Sequence, residues 1–312
     1  MSTWAAILVG MRRVGRESMD ATVTDTAWRT ITRSSFVVRN HARDRNAVHV
    51  TTASRPWRFA YTRLMAAPDP PLMCALPPGG ATTFQMGDMR GRDDEKPVRK
   101  VTLAPYEIGV YPVSNDAYAR FLDDTAHEAP RYWGESRFDV SDAPVCGVSW
   151  RDAVAYARWL SDRLGRCFHL PTEAQREFAA RGGHEDRSFP WGDDPLPMEG
   201  VYAPGLDGPL TGGPFRIADP VAAGPNDFGV YHLADNVHEW CADYYDRGYY
   251  RESETDDPRG PARTARRAAR GGSWRHHVKY CRCAARSSLA PDKRFADFGF
   301  RLAASDEFEY VW

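Results

Sequence analysis

The stretch LPTEAQREFAARGG, residues 170–183, carries the clearest structural signals in this chain of 312 residues. Thr172 is a typical helix N-cap, and Gln175, three residues later, completes a capping box. Gly182 and Gly183 end the pattern, because glycine readily adopts the left-handed conformation that closes a helix. The sequence therefore predicts a short helix that begins after Thr172 and stops at the two glycines.

The segment just before this helix is built in the same way. In SWRDAVAYARWLSDRLGR, residues 149–166, Ser149 is the expected cap, Asp152 follows three residues later and Gly165 is the expected stop. A third helix is predicted to open at Ser114, in SNDAYARFLDD. Helical spacing places one group of apolar residues of the second helix on one face: Trp150, Val154, Ala157 and Leu164.

The rest of the patterned sequence favours short strands and long loops. Residues 96–114 alternate like paired strands, and ARGGSW, YCRCAARS and FGFRLAA near the end are typical of short strands in an antiparallel sheet. Residues 184–265 contain no predicted helix, and such a long irregular stretch is usually functional or organised by an ion. These patterns together predict an α+β protein with few helices, short antiparallel strands and long loops.

Composition excludes several classes of protein. The chain is 42% hydrophobic with a formal charge of −1, which gives no reason to expect a nucleic acid or an anionic membrane as partner. No apolar run approaches the ~20 residues that a membrane span needs. Six cysteines are too few for a disulfide scaffold at this length, so we expect a reducing, cytoplasmic location. A monomer is the expected state.

Charge separates two unlike regions. Residues 1–73 contain eleven arginines, no lysine and five acidic residues, a charge of +6, which leaves −7 for the remainder because the total is −1. We interpret residues 1–75 as a basic extension that is disordered or loosely packed. A basic binding arm and a misplaced start of translation are the alternatives. The prolines and glycines of 68–80 indicate a linker, followed by a domain over 76–304 and a tail over 305–312.

Seven phrases in one order resemble a known family. FQMGD, FPWGDD, GVYHLADNVHEW, RGGSW and FGFRLA, together with the two capped helices, closely resemble the sulfatase-modifying-factor domain of formylglycine-generating enzymes. The resemblance covers residues 76–304 and implies one domain of the C-type-lectin-like kind. It also implies an activity: prototypes bind copper through two cysteines and use O₂ to oxidise a cysteine in a sulfatase's Cys-x-Pro-x-Arg segment to formylglycine.

The resemblance assigns the copper site to the segment after RGGSW, with one departure. It places the second copper cysteine at Cys281, the first at His276, and a serine beside the active site at Ser273. Two soft thiolates suit Cu⁺, whereas a His/Cys pair binds Cu⁺, Cu²⁺ or Zn²⁺ with a changed redox potential. Cys283 could replace the missing thiolate as a second ligand beside Cys281 only if the strand that carries both cysteines bends there. The alternative is a buried structural Cys281 with His276 in a binding groove.

The resemblance also implies a structural calcium ion in YHLADNVHEW. The matching positions are His232, Asp235, Val237 and Glu239. Asp235 and Glu239 offer the oxygen ligands that Ca²⁺ requires, but imidazole is a poor calcium ligand. An ion pair between Glu239 and an arginine is the alternative. A second calcium site of the prototypes aligns near Gly213 and lacks its aspartate.

Two functions from different classes remain open. The first is a metal- and O₂-dependent oxidase that acts on a cysteine or other thiol of a protein or peptide, with Cys281 and His276 as metal ligands and Ser273 as a positioning hydroxyl. The second is a non-catalytic module that binds a ligand or a protein on the same scaffold. A histidine-ligated iron enzyme is disfavoured, because residues 1–73 contain only two histidines and no helix-bundle pattern.

Overall fold

The computed structural model describes residues 11–14, 18–21, 68–194, 214, 216 and 224–311. Contacts divide the chain into two units, Met1–Arg58 and Phe59–Trp312. In the first unit, strands β1 (Met11–Val14) and β2 (Ser18–Ala21) pair in antiparallel fashion. Most of the basic extension expected over residues 1–75, and the position near Gly213, lie outside the described residues.

Three α-helices in the second unit confirm the helix predictions: α1 (Asn115–Thr125), α2 (Trp150–Leu164) and α3 (Glu173–Arg181). The side chains of Ser149 and Thr172 accept hydrogen bonds from the backbone three residues later, and both capping boxes are complete. The glycines after α2 and α3 adopt left-handed φ angles of 62° and 63°. Among the described residues, no helix is both long and apolar enough to cross a membrane.

One four-stranded sheet has the order β10-β9-β8-β11. Its strands are β8 (His238–Tyr244), β9 (Arg267–Arg270), β10 (Arg286–Leu289) and β11 (Phe298–Gly299). The pairs β8–β9 and β9–β10 are antiparallel, whereas β11 runs parallel to β8. The parallel pair matters for function, because it aligns the starts of two strands that are distant in sequence.

A second four-stranded sheet has the order β3-β6-β12-β7 and is antiparallel. A separate hairpin pairs the two remaining strands. The six strands are β3 (Met73–Leu76), β4 (Thr82–Met86), β5 (Arg99–Leu103), β6 (Tyr106–Gly109), β7 (Phe168–His169) and β12 (Ala303–Ala304). The α+β class, with few helices and short strands, is therefore as expected from the sequence.

Three local expectations were wrong. Strands β5 and β6 do not pair with each other: β5 pairs with β4, and Thr102 of β5 also exchanges hydrogen bonds with the loop 255–257. The linker expected over 68–80 contains strand β3, which pairs with β6. YCRCAARS is not one strand, because a 3₁₀ helix, Val278–Tyr280, ends at Cys281 and β10 starts only at Arg286.

Two large hydrophobic clusters of buried residues pack around these elements, beside a small third one that includes Val237 and Trp274. The larger one packs α1 and α2 against the sheets, and its biggest members include Trp150, Trp240, Tyr118, Phe121 and Phe300. The other large cluster joins the β4–β5 hairpin to α3. The expected tail over 305–312 is also packed, since partly buried Phe308 and Tyr310 contact the larger cluster.

Helix α3 is buried on every side although it carries four charged residues. Glu173 pairs with Arg286 at 2.7 Å, and Glu177 pairs with Arg181 at 2.7 Å and with Arg270 at 2.7 Å. Buried charges are tolerated only when they are paired and hydrogen-bonded. We call the full set the buried arginine network: Glu173, Arg176, Glu177, Arg181, Glu239, Arg270, Arg286 and Arg301.

Candidate functional site

The candidate site lies where β8 and β11 begin side by side. His238 is the first residue of β8, and Asp297 directly precedes β11. The His238 N–H donates to the Asp297 carbonyl oxygen over 2.8 Å, and the parallel register sets Phe298 opposite His238. The backbone therefore holds an imidazole and a carboxylate next to each other, although they are far apart in sequence.

A glycine turn after β9 brings a third segment to this place. Gly271 has a φ angle of +81°, in the left-handed region that favours glycine. A Cβ on Gly272 would lie 2.3 Å from the Cys281 Sγ and 2.4 Å from the Ala234 carbonyl oxygen. No side chain fits at position 272. The left-handed φ of Gly271 and the close packing of Gly272 therefore account for the two glycines of the RGG phrase.

The turn that follows positions Ser273 and His276. The Trp274 N–H donates to the Asn236 carbonyl over 2.8 Å and ties the turn to the segment before β8. The His276 N–H donates to the Ser273 carbonyl over 3.0 Å, which closes a tight turn. Both side chains consequently face His238 and Asp297.

Four polar side chains meet in this place. The His238 Nε2 and His276 Nδ1 atoms are 2.8 Å apart, so one ring N–H donates to the other ring. The Ser273 Oγ lies 3.0 Å from His276 Nδ1 and donates to Asp297 Oδ2 over 3.0 Å. One ligand atom from each of His238, His276 and Asp297 lies within 4.8 Å of the others. We call these three residues the donor cluster.

Burial sets the protonation of the two imidazoles. It lowers the pKa of His238 well below the ordinary value, and the neighbouring His276 lowers it further. Burial also lowers the pKa of His276, although Asp297 acts in the opposite direction. Both rings are therefore neutral at pH 7, the form that has a lone pair for a metal. The Arg275 guanidinium lies 3.9 Å from Asp297 and partly balances the carboxylate.

The donor cluster fits a divalent transition metal better than it fits two-coordinate Cu⁺. Two imidazoles and one carboxylate form the ligand set of many non-haem Fe²⁺ sites, and imidazole also suits Zn²⁺ and Cu²⁺. Two-coordinate Cu⁺ favours a pair of soft thiolates, which this group lacks. Among the residues that the structure describes, this is the one group of three such donors.

The two histidines of the cluster line a cavity of about 220 Å³. Tyr280 forms part of the wall, with its ring centroid 5.8 Å from that of His276. Arg92 and Arg286 also line the cavity. The cavity has room for one side chain of a peptide or for a small ligand.

Cys281 occupies a different environment from the donor cluster. It is fully buried, its N–H donates to the Val278 carbonyl over 2.8 Å, and its thiol lies against Gly272. Its Sγ is 4.0 Å from the His277 carbonyl oxygen, at the limit of a sulfur hydrogen bond. The structure thus brings Ser273 and His276 together and places the Cys281 thiol outside the group of three donors.

His238 and Asp297 are the site residues that sequence reasoning missed. His238 and Glu239 do not begin a His-Glu-x-x-His metal motif, because Ala242 stands where the second histidine would fall. No local spacing links His238 or Asp297 to His276, because the β8–β11 pairing creates the contact. The only sequence signal is position: His238 lies inside the family phrase GVYHLADNVHEW, and Asp297 directly precedes the phrase FGFRLA.

Three of the four positions expected to hold calcium lie close to one another in the chain. His232 has a left-handed φ of 56°, and its Nδ1 lies 3.4 Å from Asp235 Oδ1. Val237 is fully buried and contacts Gly299 with its side chain. Among the described residues, these positions do not form a group of three potential metal donors.

Both carboxylate oxygens of the fourth expected calcium ligand, Glu239, accept hydrogen bonds from arginine side chains. Arg176 Nε donates to Oε2 over 2.6 Å, while Arg301 donates to Oε2 and to Oε1 over 2.8 Å each. Burial by itself raises the pKa of Glu239, but the two guanidinium groups outweigh it and hold the pKa below its ordinary value. Glu239 is therefore ionised and paired with arginine.

Comparisons with known proteins agree on one family. The profile of the sulfatase-modifying factor enzyme 1-like domain matches residues 63–306. The formylglycine-generating enzyme of Thermomonospora curvata is 37% identical over 74% of this chain and 93% of its own length. That of Streptomyces coelicolor is 35% identical over 72% and 87%. A bovine protein named inactive C-alpha-formylglycine-generating enzyme 2 is 30% identical over 73% and 86%.

Solved structures show the same fold. PvdO from Pseudomonas aeruginosa superposes with a TM-score of 0.62 at 25% identity, covering 75% of this chain and 94% of that one. Treponema denticola variable protein 1 gives a TM-score of 0.63 at 24% identity, covering 74% and 94%. The second similarity is one of fold alone.

Proposed function

This chain belongs to the sulfatase-modifying factor enzyme 1-like family, and on that premise we propose that it is a metal- and O₂-dependent oxidase of a cysteine thiol in a protein or peptide. The observation that carries the proposal is the convergence of His238, His276 and Asp297 within 4.8 Å at the wall of a cavity. Relatives at 35–37% identity bear the name formylglycine-generating enzyme, which suggests the product.

The proposed reaction balances with a thiol as second reductant. The substrate carbon changes from CH₂–SH to an aldehyde, which is a two-electron oxidation that breaks the C–S bond and releases H₂S. O₂ accepts four electrons, so two more electrons and two protons come from an external thiol pair that becomes a disulfide. One oxygen atom enters the aldehyde and the other leaves as water.

We propose Fe²⁺ as the metal, because two imidazoles and one carboxylate form the ligand set of many non-haem Fe²⁺ sites. The sequence disfavours only an iron site whose histidines come from residues 1–73, whereas His238, His276 and Asp297 all lie outside that region. When bound, the metal would supply an open position for O₂ and a change of oxidation state. The alternative from the sequence is Cu⁺ between Cys281 and His276, with Cys281 as thiolate. The two assignments share His276 and differ in whether Asp297 or Cys281 completes the site, so variants of those two residues separate them.

The chain's own groups have distinct roles in this proposal. His238 and His276 present neutral nitrogens, because burial keeps their pKa values low. The Ser273 hydroxyl is a positioning group, since it contacts His276 and donates to Asp297. A buried site next to a small cavity admits one substrate side chain and excludes most water, which strengthens interactions between charges and dipoles.

The first test is anaerobic metal titration of the full chain and four variants. We expect the wild type to bind close to one Fe²⁺ per chain. His276→Ala and Asp297→Asn should each weaken binding by about 10-fold or more, by analogy with the 10- to 100-fold losses known for the partners of metal ligands. Cys281→Ala should keep the affinity. His277→Ala is the matched control, because His277 is the neighbouring histidine and its Nδ1 accepts the Lys279 N–H instead.

Two outcomes would overturn this assignment. Equal Fe²⁺ affinity in wild type and His276→Ala would remove the donor cluster as a metal site. Tight Cu⁺ binding that is lost in Cys281→Ala but kept in Asp297→Asn would favour the copper alternative. If the metal is bound as expected, O₂ consumption with a cysteine peptide and a thiol reductant tests the reaction, and mass spectrometry of the peptide identifies the aldehyde.

A non-catalytic binding module is the second candidate, and one observation favours it. Hydrogen bonds already join His238, His276, Asp297 and Ser273 to one another, so these contacts can hold the side chains in place without an ion. In that case the cavity would bind a protein or peptide side chain without oxidising it. Absence of O₂ consumption together with peptide binding that is lost in Tyr280→Ala would support this candidate.

A further inference from the structure

The carboxylate of Glu239 lies in the interior between two guanidinium groups. The side chains of Arg176, Glu239 and Arg301 are 1%, 0% and 0% exposed. Three short hydrogen bonds of 2.6–2.8 Å join them. A buried carboxylate requires positive charge close by, and this one receives it from two arginines.

The same guanidinium groups also donate to the backbone that precedes Glu239. Arg176 Nη2 donates to the Leu233 carbonyl over 2.6 Å, and Arg301 Nη2 donates to the Tyr231 carbonyl over 2.7 Å. A calcium ion requires six to eight oxygen ligands. The Glu239 carboxylate and the carbonyl oxygens of Tyr231 and Leu233 thus already accept hydrogen bonds from arginine.

The Arg176 guanidinium also lies against the glycine turn. A Cβ on Gly271 would lie 2.9 Å from the Leu233 carbonyl oxygen and 3.2 Å from Arg176 Nη2. The guanidinium is thus enclosed between α3, the Leu233 carbonyl and the glycine turn. The expected calcium ligands consequently do not fit a calcium ion in this chain.

We infer that the Arg176 guanidinium replaces a structural calcium ion, so that a cation covalently attached to α3 holds the segment 231–239. The fold of this chain then requires no Ca²⁺. The inference concerns the interior of the protein and is independent of the metal proposed at the donor cluster, whose imidazole nitrogens are poor calcium ligands.

The test compares urea unfolding midpoints of the full chain in EGTA and in millimolar CaCl₂. The wild type should unfold at the same midpoint in both buffers. Arg176→Met keeps much of the side chain's length and removes its charge, so its midpoint in EGTA should be lower. Calcium should raise the midpoint of Arg176→Met, because the substitution leaves the Leu233 carbonyl and an oxygen of Glu239 available. The double variant Arg176→Met/Glu239→Gln should not respond to calcium.

Three results would overturn the inference. The first is a wild-type midpoint that rises with calcium, and the second is an Arg176→Met protein as stable in EGTA as the wild type. The third is a destabilised Arg176→Met that ignores calcium, since this would indicate an ordinary ion pair. If Arg176→Met does not fold, Arg176→Lys replaces it. Lysine keeps the positive charge but can replace only one of the two hydrogen bonds that Arg176 donates, to Glu239 and to the Leu233 carbonyl. We therefore expect an unfolding midpoint between those of the wild type and Arg176→Met, and no response to calcium.

Discussion

Acidification should destabilise this protein through His169, a buried histidine of β7 that is remote from the donor cluster in sequence. Its ring stacks on Phe308 at a centroid distance of 3.8 Å, and its nitrogens contact the Leu170 carbonyl at 2.8 Å and Ser305 Oγ at 3.0 Å. Burial, which outweighs the Leu170 hydrogen bond, lowers the pKa of His169 from 6.5 to about 4. The folded protein therefore holds this ring neutral.

The sign and size of the effect follow from proton linkage. Between pH 6.5 and pH 4 the unfolded chain takes up a proton that folded His169 refuses, so the free energy of unfolding falls as the pH falls. At about 1.36 kcal/mol per pKa unit, a difference of about 2.5 units corresponds to a loss of about 3 kcal/mol. Stability from this group is complete above pH 6.5 and absent below about pH 4.

Urea unfolding at pH 7 and pH 4 gives the loss of stability between the two pH values for each protein. The contribution of His169 is the difference between the loss in the wild type and the loss in His169→Gln. His169→Gln lacks the titrating group, so its loss of stability between the two pH values should be smaller than that of the wild type by about 3 kcal/mol. His184→Gln is the control, because His184 lies at the surface with its side chain 52% exposed. The other buried histidines are present in all three proteins, so their contributions to the pH dependence cancel in the comparison. Parallel losses in wild type and His169→Gln would refute the reasoning.

Three further substitutions test other parts of the structure. Gly272→Ala should destabilise the protein by about 3 kcal/mol in urea unfolding, because the new methyl overlaps Cys281 Sγ; a neutral result would contradict the close packing. Ser273→Ala should leave the unfolding midpoint nearly unchanged but weaken Fe²⁺ binding about 10-fold or more in titrations, since it removes a partner of two donors. Ser149→Ala should cost about 1 kcal/mol in thermal or urea unfolding, because it opens the capping box with Asp152; unchanged stability would show that the cap is redundant.

The helices were predictable because their signals are local. Ser149 with Asp152, and Thr172 with Gln175, form capping boxes within four residues, and glycines end both helices in the left-handed conformation. Strand pairing is not local in this sense. Residues 96–114 alternate as expected for strands, but this pattern does not indicate the partner of each strand. In the structure β5 pairs with β4, whereas β6 pairs with β3 and β12.

The candidate site was only half predictable for the same reason. Ser273 and His276 follow the glycine turn in sequence, so motif matching located them together. His238 and Asp297 join them through the parallel pairing of β8 and β11, which no spacing in the sequence reveals. The sequence offers an ion pair at Glu239 as an alternative, but its partner Arg176 lies 63 positions earlier, on helix α3, and no spacing links the two.

The buried arginine network also constrains how this sequence can drift over evolutionary time. A single substitution at Glu173, Glu177 or Glu239 leaves an arginine charged and uncompensated in the interior, which typically costs 3–5 kcal/mol, roughly the margin of a whole domain. Changes that replace a carboxylate and its arginine partners together avoid a protein with an uncompensated buried charge. We therefore expect sequences derived from this one to change positions 173 and 286 jointly, and position 239 only together with both 176 and 301, while the apolar core residues around them vary one at a time.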